Sequence, residues 1–227
     1  MRNPLRIMMS WFDASAADIS ADATADGAAT AGQVDWLRTL PYIGMHLACL
    51  AVFWVGWSPV AVTVALLAYA VRMIAITGFY HRYFSHRSFQ TSRPVQFIFG
   101  LIGAASVQRG PIWWAAHHRH HHVVSEKPAD PHSPVQHGFW HSHTKWFLTR
   151  EHFPIQEKRV KDLMRFPELR FLDRFDIAVP VLFAVSMLLL GMLLERVAPG
   201  LGTSGGQMLV WGFFISTVVL YHATFTI

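Results

Sequence analysis

VAVTVALLAYAVRMIAITGFYHRYFSH, residues 60–86, decides the fold. From Val60 to Tyr80 the only charged residue is Arg72, and the sequence then turns abruptly to histidine, arginine and serine. A helix needs about 20 apolar residues to cross the hydrocarbon core of a bilayer. The stretch therefore reads as a membrane-spanning helix that leads directly into a pair of histidines, His81 and His86. Working outward, the apolar run begins at Leu40, and Trp57-Ser58-Pro59 divides it into two spans, 41–57 and 60–80. Two further runs give spans 177–194 and 208–227, with a short Gly-rich loop, Glu195 to Gln207, between them. The expected class is an all-α integral membrane protein, multi-pass, with four transmembrane helices and one histidine-rich helical region, 81–176.

Composition agrees. Of 227 residues, 52% are apolar and only 15% charged, and the mean hydropathy is +0.29. That is too apolar for an average soluble domain and too charged for a chain wholly in lipid. The net charge of +5 is uneven: 14 of the 19 Lys and Arg lie between Arg82 and Arg174. Flanked by apolar spans, such clustering favours an anionic membrane face over nucleic acid. Positive charge concentrates on the cytoplasmic side of short loops. Arg2, Arg6 and Arg38 precede the first span, so the N-terminus and region 81–176 are expected in the cytoplasm. Residues 1–39, Ala- and Asp-rich over 13–35, read as a flexible tail, and 40–227 as one domain. Cys49 is the only cysteine, so neither an intrachain disulfide nor a Cys-based zinc site is available. The Val95–Val107 stretch is too short to span and is expected to lie at the interface or re-enter. Arg72 stands about 12 Å from the end of its span and is expected to snorkel to the headgroups or to have a structural partner.

Histidine carries the chemistry. There are 14, and 12 lie between His81 and His152. Neutral imidazole ligates zinc, iron, copper or nickel. On a regular helix His81 and His86, five apart, point about 140° away from each other. They suit two different metals or a distorted helix end. In the run HHRHHH, 117–122, positions three and four apart share a face. Both His118/His121/His122 and His117/His120/His121 therefore converge, and geometry leaves the register open. Ions held by imidazoles alone keep a high positive charge and need oxygen species to balance it, which points to redox-active iron.

Taken together, HRYFSHRSF at 81–89, HHRHHH at 117–122, SEKPADPH at 125–132 and YHATFT at 221–226 resemble the membrane fatty acid desaturases, in particular the acyl-CoA delta-9 branch. The resemblance covers residues 40–227. The family's second box reads H-R-x-H-H, followed ten residues later by the His of A-D-P-H, and His118, His121, His122 and His132 fit that pattern. The resemblance implies a di-iron centre with His81, His86, His118, His121 and His122 as ligands and O2 as co-substrate. His117 and His120 become neighbours of the site or solvated residues. His132, His137, His141, His143 and His152 become structural, and His222 a local hydrogen-bonding group. It also implies a bent acyl tunnel with Gln108, Trp114 and Thr224 at the bend, and Arg150 available for a carrier's phosphate. The implied reaction is oxygen-dependent desaturation of a fatty acyl chain, delta-9, carried on CoA or lipid. The implied electron donor is of the ferredoxin, rubredoxin or cytochrome b5 type.

The family also carries a third box, H-x-x-H-H, and an Asn and a His just beyond a fourth span. None occurs before Ile227, so the chain is expected to be a C-terminally truncated part of a longer protein. His117 and Glu151 stand where acyl-CoA members carry basic or polar contacts, which leaves the acyl carrier open. Two rival functions follow from the same residues. A hydroxylase or alkane monooxygenase of the histidine-box group shares the C–H chemistry. A metal transporter with a His-rich loop needs mid-membrane ligands, and the third and fourth spans offer almost none apart from His222.

Overall fold

The computed structural model describes residue 9 and residues 11–14, 32–125 and 127–226. Most of the expected tail lies outside these. Helix α1 begins at Trp36 rather than near 41: it runs Trp36–Ala48 and continues through Cys49–Ala51 and Val52–Val55. Its early start has a local cause. Arg150 N–H donates to the Gln33 carbonyl and Asp35 N–H to the Leu148 carbonyl, which ties the approach to the histidine region. Asp35 then caps the helix by accepting from Arg38 N–H.

Helix α2 is Pro59–Ile74, started by Pro59 at its first position and by Ser58, whose hydroxyl accepts from Ala61 N–H. It runs on without a break into a π-helical segment, Ala75–Ser85. The whole span, Pro59–Ser85, has 27 residues. At 1.5 Å per residue that is about 40 Å, longer than the roughly 30 Å hydrocarbon core. Helix α3, Arg93–Ala104, is the short apolar stretch. It lies against the end of α2, with Phe79 and Phe99 stacked at 3.8 Å. Gly103 permits this approach, because an added Cβ would sit 2.0 Å from the Tyr80 ring.

Helix α4, Pro111–Val124, carries the second histidine run. Its first N–H groups are capped from outside the helix. Asp173, in helix α5 (Pro167–Arg174), accepts from Ile112 N–H at 2.9 Å and Trp113 N–H at 2.7 Å. Gly110 makes room for that carboxylate, which an added Cβ would meet at 2.4 Å. Burial nevertheless pushes the Asp173 pKa up to about 7, against the pull of these two donors. Helix α6 is Ala178–Val197. Helix α7 runs through Gly205–Gln207, a π-helical Met208–Ile215 and Ser216–Thr226, and opens with a capping box between Ser204 and Gln207.

Among the described residues, four helices are long and apolar enough to cross a bilayer: Arg38–Val55, Pro59–Ser85, Ala178–Val197 and Gly205–Phe225. They match the four spans read from the sequence, with ends displaced by a few residues. Leu66, Leu67, Val71 and Ile74 of α2 and Leu182, Leu189 and Leu193 of α6 face outward, as lipid-facing residues do. At the end remote from the histidines, Gln207 donates to the Val55 carbonyl and Trp211 to the Gly56 carbonyl, closing α1 onto α7. Arg72 is 2% exposed and does not snorkel. Its guanidinium donates to the Ala68 and Ala105 carbonyls and to the Thr217 and Ser216 hydroxyls. It also lies over the Phe183 ring. It is a staple joining α2, α6, α7 and the end of α3. Beneath the histidines Tyr80, Phe84, Ile112, Val160 and Leu169 form a buried core.

Candidate metal centre and acyl channel

The π-helical turn at the end of α2 settles the placement of His81 and His86. His86 N–H donates to the His81 carbonyl at 3.1 Å, an i→i+5 bond. Residues five apart then stack on one side instead of diverging, and the two Nε2 atoms lie 3.0 Å apart. Short π-helical turns are frequent at functional sites. From α4, His118 Nε2 lies 3.2 Å from His86 Nε2, and His122 Nε2 lies 2.9 Å from His118 Nε2. Ligand atoms of His81, His86, His118 and His122 all fall within 4.8 Å of one another.

That donor set fits a metal ion. Imidazole nitrogens about 2.1 Å from one ion, at right or tetrahedral angles, stand about 3.0–3.4 Å apart. Burial favours the neutral form of His118 and His122. Burial, then the like charges of His81, His122, His86 and His121, pulls the His118 pKa down to about 2. His122 is lowered for the same reasons, burial first.

His121 stands outside the four. Its Nδ1 donates to Asp130 Oδ1 at 2.9 Å, and its ring centre is 5.6 Å from that of His122. Asp130 is fully buried and also accepts from His132 N–H. A carboxylate on Nδ1 fixes the tautomer and leaves Nε2 as the unprotonated, ligating atom. Asp130, in the ADPH segment, was not among the residues singled out from the sequence. His117 is 4% exposed and His132 is largely buried, and burial first of all takes each down to about 3. Both line the wall of the neighbouring cavity.

Arg119 is a second residue not singled out from the sequence. Its guanidinium donates to both oxygens of Asp162, to the Arg159 carbonyl and to the Phe84 and Ser85 carbonyls at the end of α2. It fastens the first histidine pair to the second.

His81, His118 and His122 of the cluster line a cavity of about 560 Å3, reached by Met73, Ile76 and Thr77 of α2, Trp114 of α4, and Thr224 and Phe225 of α7. Three residues expected at a bend meet there. Gln108 Nε2 donates to Thr224 Oγ1 at 2.8 Å, and Trp114 Nε1 donates to Gln108 Oε1 at 3.4 Å. Gln108 is 1% exposed and is flanked by two non-glycine residues in the left-handed region, Val107 (φ 61°) and Arg109 (φ 69°). Backbone held this way costs free energy and collects at functional sites. Arg150 is not brought to this cavity; its Nε lies 3.9 Å from Asp35 at the start of α1. A second apolar cavity of about 440 Å3 lies between α1, α6 and α7, with Arg38, Arg109 and Asp176 at one end.

Four bilayer-length helices among the described residues, with the histidine pair at the end of α2 meeting His118 and His122 of the shorter α4, describe a polytopic membrane protein with a histidine cluster able to hold a metal ion. The sequence pattern of the family described as Fatty acid desaturase matches residues 56–227, and the chain belongs to that family. It is 33% identical to an sn-1 stearoyl-lipid 9-desaturase of Anabaena variabilis, over 87% of this chain and 69% of the relative. It is 32% identical to an sn-2 palmitoyl-lipid 9-desaturase of Nostoc sp. (strain 36), over 85% of this chain and 64% of the relative. It is also 32% identical to an acyl-CoA 5-desaturase of Anemone leveillei, over 81% of this chain and 54% of the relative. The chain thus spans between about half and two thirds of these relatives' lengths.

Proposed function

We propose that the protein introduces a double bond, delta-9, into a lipid-borne fatty acyl chain, using O2 and two electrons at a pair of iron ions. His81, His86, His118, His121 and His122 are the proposed ligands from this chain. The single observation that carries the reading is the convergence of imidazoles from both boxes at the wall of a cavity of about 560 Å3. When bound, the irons supply oxygen activation and C–H cleavage. The chain's own residues do the rest. Asp130 holds His121 with Nε2 presented, and Arg119 holds the two boxes in register. Gln108, Thr224 and Trp114 set the bend that presents one pair of methylenes. A methylene offers no polar handle, so its position along a narrow apolar channel is what selects it.

Lipid is preferred as carrier because two of the relatives above carry that substrate in their names. Arg150 is the proposed contact for the carrier's phosphate. The positive-inside bias supports a cytoplasmic position for the centre and the N-terminus. There, exposed basic residues such as Lys158 and Lys161 would steer an acidic ferredoxin, rubredoxin or cytochrome b5 type donor. The test is expression of the natural gene product in a host lacking delta-9 desaturation, followed by mass spectrometry of the acyl chains. A delta-9 alkene without a matching alcohol is expected. An alcohol would favour the hydroxylase reading, and no oxidised product would refute both.

A further inference from the structure

Arg72 lies within the second span, and its guanidinium grips two segments from other parts of the chain. Nε donates to the Ala68 carbonyl of its own helix at 2.9 Å. One terminal nitrogen donates to the Ala105 carbonyl at 3.3 Å and to Thr217 Oγ1 at 2.6 Å, the other to Ser216 Oγ at 2.5 Å. Ala105 closes α3, and the orphan carbonyls of a helix end carry partial negative charge. Ser216 and Thr217 open the stretch Ser216–Thr226, directly after the π-helical Met208–Ile215. Gln108 follows three residues after Ala105, and Thr224 seven residues after Thr217. Arg72 thus ties the same two segments that the Gln108–Thr224 hydrogen bond joins, about two helical turns (roughly 10 Å) back along α7.

A buried charge adds little net stability, and its best-attested use is to specify register. A charged residue inside a span is costly and marks function. Register is what these two segments need from outside. The loop after α3 holds Val107 (φ 61°) and Arg109 (φ 69°) in the left-handed region, and neither is glycine. Such backbone persists only where its surroundings fix it. Helix α2 fixes it at both ends: Arg72 holds the Ala105 carbonyl, and the Tyr80 hydroxyl donates to the Arg109 carbonyl at 3.3 Å. In α7 the change from π- to α-helical hydrogen bonding falls at Ser216. A π turn holds more residues than an α turn, so the place of that change sets the direction in which Thr224 points. Of the described side chains of α2, Arg72 alone is hydrogen-bonded to both segments. The Phe183 ring of α6 lies under the guanidinium, 4.9 Å from its carbon, and keeps the fork against its acceptors.

We propose that Arg72 is a positioning residue that sets which pair of methylenes reacts, by fixing Gln108 and Thr224 relative to the helix that carries His81 and His86. Arg72 is not part of the cavity wall, although its neighbour Met73 is. It acts through the two segments it holds. The proposal rests on the desaturase reading, because the selected bond is the one that reading oxidises. The two histidines belong to α2, whereas the bend is built from the α3–α4 loop and α7. Their separation along the channel is therefore a matter of how three segments register, and Arg72 is bonded to all three. A slide of the bend by about 1.5 Å, one carbon–carbon bond, brings the next methylene opposite the metal centre. Without the guanidinium, the Gln108–Thr224 hydrogen bond still joins loop to helix, but the joined pair is free to shift against α2.

The test uses the natural gene product in a host lacking delta-9 desaturation, with double-bond positions read by mass spectrometry. Hydrogen exchange of the purified protein in lipid nanodiscs runs alongside. The wild type should give one main positional isomer. Arg72→Gln, too short to reach both segments, should lower the ratio of that isomer to its neighbours about tenfold, equivalent to one hydrogen bond to a charged group. Iron content should stay unchanged. The amides of Ala105, Ser106 and Val107, which bond back to α3, should exchange about tenfold faster. Thr217→Val removes one acceptor and keeps the shape; it should shift both readouts in the same direction by less, and it serves as the readout should Arg72→Gln misfold. A lower yield with an unchanged isomer ratio would show a purely structural staple and overturn the proposal. So would exchange at those three amides that stays as in the wild type. A wild type that forms no alkene, with exchange faster in Arg72→Gln, would overturn the desaturase reading and uphold the clamp.

Discussion

Arg119→Met should separate the two histidine boxes. In the wild type the guanidinium bonds both Asp162 oxygens, at 2.8 and 3.1 Å. It also bonds the Phe84 and Ser85 carbonyls, at 2.6 and 3.1 Å. The side chain is 19% exposed and that of Asp162 22%, so the pair is partly shielded from water. Burial raises the Asp162 pKa, but hydrogen bonds from Arg119 and Arg87 outweigh it and hold the carboxylate below its usual range. The pair's contribution is therefore present at neutral pH and lost as pH falls through that lowered value. Methionine fills similar volume but leaves the α2 carbonyls without their donor and Asp162 with Arg87 alone. Breaking such a pair costs about 3–5 kcal/mol when fully buried, and this one should lie near the lower limit. The same side chain holds His86 against His118, so most of the loss should appear as weaker metal binding. At 1.4 kcal/mol per tenfold, the expected drop in iron affinity is about a hundredfold. Arg119→Lys, which keeps the charge but not the fork, should fall in between. The assay is iron per chain after graded chelator challenge, with thermal unfolding in detergent alongside. Iron retention within threefold of the wild type would refute the role given to Arg119.

Asp130→Asn should leave the four-imidazole cluster intact but free the His121 ring. Metal affinity should fall by about 10–100-fold, measured by competition with a chelator, with little change in unfolding temperature. Acidification should destabilise the metal-free protein, because burial lowers His117 to about 3 and the native state excludes a proton that the unfolded chain binds. The contribution is complete above the ordinary histidine pKa of about 6.5 and declines below it, by about 2 kcal/mol for this residue between pH 6.5 and 5. Unfolding titrations of the wild type and His117→Phe should differ in that window. Gly191→Ala should loosen α6 from α7, since the new Cβ would meet the Ser204 carbonyl oxygen at 2.6 Å and Gly205 Cα at 2.7 Å. A loss of about 1–3 kcal/mol is expected in detergent unfolding, without change in metal affinity.

The spans were legible because length and hydropathy suffice to find them, and their ends moved only where capping acted. Trp36 became helical through Asp35 and the contacts of Gln33 and Leu148, which hydropathy does not record. The histidine pair at 81 and 86 was visible, but a regular helix turns them apart, and the π-helical hydrogen bond that joins them has no simple sequence signal. Gln108 and Thr224 were paired through family resemblance; 116 positions separate them, beyond any local pattern. Nor does any local pattern record the contact between His46 and His222, 176 positions apart. Asp130 could have been found by asking which carboxylate near a metal-binding histidine can hold its second nitrogen. Arg119, wedged between histidines, drew no notice because its partners lie on a different helix and on loops.

The most direct measurement is iron X-ray absorption of the purified natural gene product, with metal content determined on the same sample. Two irons per chain with a mainly imidazole shell are expected. The paired variant His86→Ala with His118→Ala should lose both iron and shell, while its unfolding shows the helices still formed. A protein that purifies without iron, or whose iron shell is untouched when those imidazoles are removed, would contradict the metal centre described here.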